Sequence, residues 1–173
     1  MSSSRLIIFG GLPGTGKTTL ARTLASELGS VHLRIDSIEE AIRHGMPMTV
    51  SLDKAGYRVA YAVAEDNLRI GRTVIADSVN PLSITRDAWL SVAHRAQVEA
   101  VEIEVICSDP VEHRRRVESR TSDIVGLKLP TWEEVILREY HPWQREHIVV
   151  DASNRSVEQS IRILRQALLH LKK

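Results

Sequence analysis

Residues 7–21, IIFGGLPGTGKTTLA, constrain this chain more than any other stretch. An apolar run of strand character meets a turn built on Gly11, Gly14 and Gly16. Beyond the turn, Leu20, Leu24 and Leu28 recur at i, i+4 and i+8, the spacing of one apolar helix face. Gly11-Leu-Pro13-Gly14-Thr15-Gly16-Lys17-Thr18 fits the phosphate-loop pattern G-x-x-x-x-G-K-[ST], between strand and helix where that pattern works. Glycines reach backbone angles closed to other residues, so successive N–H groups can turn inward around phosphate oxygens. The helix that follows adds its free N–H groups and the positive end of its dipole. Residues 11–18 therefore predict a nucleoside triphosphate site, with Lys17 reaching the β- and γ-phosphates and the Thr18 hydroxyl on magnesium. Thr19, at the edge of the same site, is expected to pack or hydrogen-bond locally. A G-x-G-x-x-G dinucleotide fingerprint is excluded by the spacing, and Lys-Thr after the last glycine has no role in one.

Four more apolar runs follow the first (Arg5–Phe9): Val31–Ile35, Thr73–Ala76, Val101–Cys107 and His147–Val150. Helical patterns separate them. Ser37-Ile-Glu-Glu40 reads as a capping box opening a helix through about His44. Tyr57, Ala60, Tyr61, Ala64 and Leu68 mark another, with Gly71 as its left-handed stop, and Trp89, Val92, Ala93 and Ala96 mark a third. Asp109-Pro110 is an N-cap followed by proline at the first helical position. Thr131-Trp-Glu-Glu134 predicts a helix through about Tyr140, and Ser156-x-x-Gln159 opens the last. Alternating strands and helices imply an α/β fold with a mainly parallel sheet covered on both faces. Such sheets bind ligands beyond the carboxyl ends of their strands.

The acidic residues follow that rule. Asp36 ends the second run and is the expected acceptor of a hydroxyl proton. Asp77 ends the third and is the expected second magnesium anchor, with Thr18. Asn80 is a candidate contact for the phosphate acceptor, as is Arg43, which lies two turns beyond Asp36 and suits an acidic or phosphate-bearing group. In His113-Arg114-Arg115-Arg116-Val-Glu-Ser-Arg120, Arg116 and Arg120 share a helix face and are expected to neutralise γ-phosphate charge, with Arg114 also on the nucleotide. Residues 114–130 then form a short lid, irregular from Thr121 to Pro130.

With GLPGTGKTT, LRIDS, VIADSVN followed by Arg86, HRRRVESR, EEVILREYHPW and IVVDAS in place, the chain resembles the P-loop kinases that include small-molecule kinases and polynucleotide 5′-kinases, with an AAA_33-type ATP-binding domain. The resemblance spans nearly the whole of residues 1–173. It implies a single P-loop NTPase domain with a five-stranded parallel sheet in order 2-3-1-4-5, ATP with Mg2+, and phosphate transfer to a hydroxyl. By the same resemblance Asp36 is the general base, Arg116 or Arg120 the lid arginine, and Ala152–Arg155 lies near the adenine. Residues 43–58, where the acceptor would sit, match no substrate signature.

The partners expected are therefore a nucleoside triphosphate and an unassigned hydroxyl acceptor. A net charge of +1 gives no global pull toward nucleic acid, so a polynucleotide acceptor is not the favoured one. A switch or motor is disfavoured, since neither Asn-Lys-x-Asp nor LSGGQ occurs. A single cysteine, Cys107, allows no internal disulfide, and no apolar run approaches the roughly 20 residues that span a bilayer. The expected location is the cytoplasm.

Overall fold

The computed structural model describes residues 4–45 and 55–170. Five parallel strands, β1 (Arg5–Gly10), β2 (Val31–Arg34), β3 (Val74–Asp77), β4 (Glu99–Ile106) and β5 (Ile148–Asp151), form one sheet in the order β2-β3-β1-β4-β5. Every pairing is parallel, with Phe9 beside both Asp77 and Ile103. The central strand β1 is buried along its whole length. Its side chains alternate between two cores, because successive strand residues point to opposite faces. Ile7 and Phe9 join Ile75, Ile103 and Val105 under α1 (Lys17–Leu28) and α7 (Val157–His170). Leu6 and Ile8 join Val74, Ala76 and Trp89 under α3 (Ala55–Arg69) and α4 (Ser83–Ala96). Helices thus cover both faces, as the alternation of elements implies.

Among the expected caps, Asp109 accepts from the Val111 and Glu112 amides to open α5 (Pro110–Ser119). Thr131 and Glu134 form a reciprocal capping box, and Ser156 and Gln159 exchange the same pair of bonds. Two expectations are corrected. Strand β2 runs directly into α2 (Ile35–Gly45), so Asp36 lies in the first helical turn and Ser37 caps nothing. Helix α6 (Trp132–Ile136) ends short of Tyr140. The chain beyond it is held by tertiary bonds instead. The Tyr140 hydroxyl donates to Glu104 at 2.9 Å, the His141 amide to Pro81 O at 2.7 Å, and buried Arg86 donates to His141 O at 2.8 Å. Arg86 also lies 4.5 Å from the Trp143 ring centroid, so its role is to fasten this segment.

Among the described residues no helix is long and apolar enough to cross a membrane.

Candidate active site

The glycine-rich loop leaves β1 and enters α1 at Lys17. The Gly11 amide donates to Val79 O at 3.1 Å, and the Thr15 hydroxyl to Leu12 O at 3.0 Å. Two positions require glycine. At Gly11 (φ +138°) a Cβ would lie 2.2 Å from Val105 O, and at Gly14 (φ +86°) 2.5 Å from Val117 Cγ2. The loop is therefore clamped between β4 and α5. His113 adds a bond between its Nε2 and Pro13 O at 2.8 Å. Lys17 is only 7% exposed. Burial pulls its ammonium pKa below the usual value, while Asp77 and then Asp36 act in the opposite direction.

The Thr18 hydroxyl donates to Asp77 Oδ1 at 3.2 Å, and His32 Nε2 lies 3.3 Å from Asp77 Oδ2. Asp77, at the end of β3, is 2% exposed. Among the described residues no group of three or more His, Cys, Asp or Glu side chains gathers around a metal position. One hydroxyl with an adjacent carboxylate fits Mg2+ brought by a polyphosphate, since that ion keeps several waters and takes few protein ligands. Asp36 is half-buried in the first turn of α2 and has no hydrogen-bond partner among the described residues.

Lys17, Thr18, Thr19 and Asp36 line one cavity of about 710 Å3, together with Pro13, Gly14 and Gly16. Eight basic side chains line it against three acidic ones, Asp36, Glu39 and Asp123. That excess suits a polyanionic ligand. Arg116 is set beside the loop, donating to Glu112 at 2.6 Å and to Ala152 O at 2.8 Å. Arg120 is half-buried in the wall; desolvation lowers its pKa and the Asp36 charge opposes that. Residues 120–131 carry no helix or strand and form the lid's irregular part. At Gly126 a Cβ would meet the His44 ring at 2.8 Å, so the lid reaches α2.

Arg114 does not join the cavity; it faces outward and pairs with Glu118 at 2.8 Å. Asn80 is also corrected. It is fully buried, takes φ +48° and donates to Phe9 O at 2.8 Å, so it fastens the turn after β3 to β1. Arg43 lines the cavity but pairs with Glu40, a buried neighbour on α2. Residues 46–54, within the expected acceptor region, lie outside the described residues. His32, Arg22, Arg34 and Asp123 also belong to the site, although none is among the candidates drawn from the sequence. Arg34 stands two residues before Asp36 in LRIDS, and that nearness is the one local signal for it. The loop 152–155, expected near the adenine, lies beside α5, where Glu112 accepts from the Asn154 amide at 2.7 Å.

The sequence profile of the AAA domain family designated AAA_33 matches residues 6–133. No curated protein matches the chain. Among solved structures, the APS kinase CysC of Mycobacterium tuberculosis in complex with AMPPNP and APS superposes with a TM-score of 0.69 at 17% identity, covering 96% of this chain and 98% of that one. A gluconokinase from Sinorhizobium meliloti 1021 gives 0.66 at 18% identity, over 98% and 93% of the two chains. Chaetomium thermophilum Kti12 in complex with ADP-AlF3 gives 0.67 at 22% identity, over 94% and 98%. At these identities the likeness is one of fold.

Proposed function

The chain belongs to the AAA domain family, and on that premise we propose that it is an ATP- and magnesium-dependent kinase acting on a hydroxyl of a small molecule. The observation that carries the proposal is the shared cavity of Lys17 and Asp36, in which the Asp36 charge is among those acting on the Lys17 ammonium. The backbone amides of Gly14, Gly16, Lys17 and Thr18 and the Lys17 ammonium hold the β- and γ-phosphates. The Thr18 hydroxyl would hold magnesium, with Asp77 acting through its water, and the bound ion would supply neutralisation of phosphate charge. The acceptor oxygen forms the new bond to the γ-phosphorus while the bond to the β–γ bridging oxygen breaks. The hydroxyl proton passes to a carboxylate oxygen of Asp36, leaving ADP and a phosphomonoester. Arg116 and Arg120 face the equatorial oxygens, where they offset charge that spreads in the transition state.

The lid's approach to α2 at Gly126 favours a small acceptor over a polynucleotide, which would need an open groove. ATP consumption measured across nucleosides, sugars, hydroxy acids and 5′-hydroxyl oligonucleotides tests the reading. Acceptor-dependent turnover that Lys17→Ala abolishes is the expected result. Turnover undiminished in that variant, or ATP hydrolysis that no acceptor accelerates, would refute it.

A further inference from the structure

The acceptor side of the cavity holds a carboxylate gripped by two guanidinium groups from distant parts of the chain. Asp123, on the lid, accepts from Arg22 Nη2 at 2.7 Å through Oδ2 and from Arg34 Nη1 at 2.8 Å through Oδ1. Each oxygen takes one arginine, the arrangement in which a free carboxylate or phosphate would be held. The arginines come from α1 and β2, the rigid walls, whereas Asp123 comes from the irregular lid. The Arg34 side chain is 13% exposed against 53% for Asp123, so the carboxylate is the member free to leave. Arg34 also keeps a buried Nε with no hydrogen-bond partner among the described residues. A buried donor without a partner is costly, so an anion oxygen that reached it would gain a bond that the resting chain lacks.

We propose that Arg22 and Arg34 form an anion subsite for the acceptor and that Asp123 plugs it from within the chain until an anionic acceptor displaces it. The inference rests on the kinase reading, and it narrows the acceptor to a hydroxyl compound bearing a carboxylate or phosphate. Arg34 is two residues from Asp36. Both line the same cavity, so one small molecule can carry the anion and the reacting hydroxyl, as in a hydroxy acid or a phosphorylated alcohol. A neutral alcohol cannot replace the Asp123 charge and is rejected.

The test loads the protein with AMP-PNP and magnesium, so that the glycine-rich loop is filled, and titrates inorganic phosphate and formate in separate calorimetric arms. Phosphate stands for a phosphate-bearing acceptor and formate for a carboxylate-bearing one. A plug in place about nine-tenths of the time lowers apparent affinity about tenfold, so Asp123→Ala should tighten one of the two anions by that factor. Adding Arg34→Gln should abolish the gain. Arg22→Gln, at a side chain 57% exposed and so safe for folding, should do the same. Unchanged or weaker anion binding in Asp123→Ala, or a gain that survives Arg22→Gln, would overturn the subsite and leave Asp123 as a lid clasp. Failure of AMP-PNP to bind counts against the kinase reading alone, because the difference between the single and double variants is also read without nucleotide.

Discussion

Gly14→Ala probes the clamp between the glycine-rich loop and α5. Alanine at φ +86° enters the left-handed region, at about 1–2 kcal/mol. Its Cβ would also lie 2.5 Å from Val117 Cγ2, on a side chain only 4% exposed, and 3.4 Å from the Val117 amide nitrogen. Overpacking of that kind costs about 1–3 kcal/mol. The expected loss is therefore about 2–5 kcal/mol, a large share of the roughly 5–15 kcal/mol of an ordinary domain. Urea unfolding followed by tryptophan fluorescence reads it. Val117→Ala removes the clashing methyl but not the dihedral strain, so the double variant should recover about 1–3 kcal/mol of coupling, leaving the strain behind. Because α5 carries Arg116, AMP-PNP affinity should fall in Gly14→Ala and return in the double variant. A loss below about 1 kcal/mol, or additivity between the two substitutions, would refute the contact on which the reasoning stands.

Asn80→Ala should lower stability by about 2–4 kcal/mol, from the lost bond to Phe9 O and the positive φ it leaves to alanine, while acceptor KM is unchanged. A raised KM with stability intact would return Asn80 to the acceptor site. The Arg34 and Arg22 hydrogen bonds hold the Asp123 carboxyl well below the usual carboxylate range. A depressed folded value means the ion pair is fully present above the unfolded pKa of about 4 and is lost only as pH falls toward the folded one. Hydrogen exchange of lid amides, corrected for intrinsic rate, should thus be flat from about pH 8 to pH 5 and faster throughout in Asp123→Asn. Loosening of the wild-type lid within that interval would contradict the pairing.

Strand and helix patterns were legible because signals such as Gly11, Asp109 and Thr131 punctuate the apolar and helical stretches, and parallel pairing follows once helices separate the strands. The glycine-rich loop was legible for a local reason: its function is written in consecutive residues. What escaped was tertiary. Ser37 has the sequence of a cap, but a cap needs a preceding loop, and β2 enters α2 without one. Arg114 shares the basic run with Arg116, but two residues along a helix is about 200° of rotation and places it on the far face. Asn80-Pro81 does mark a turn, as the sequence suggests, but the asparagine side chain turns inward to β1. Asp123 meets Arg22 across 101 residues and Arg34 across 89, a clasp that no local spacing announces. His32 became part of the site only when β2 paired with β3 and brought it beside Asp77.

The role of Asp36 is measured most directly by comparing Asp36→Asn with the wild type in two assays on the same preparation: AMP-PNP binding with magnesium, and transfer of labelled γ-phosphate to an active hydroxyl acceptor. Nucleotide affinity should be unchanged while transfer falls by about 10²–10⁴-fold. Parallel loss of binding and transfer, or transfer that survives the substitution, would contradict that role.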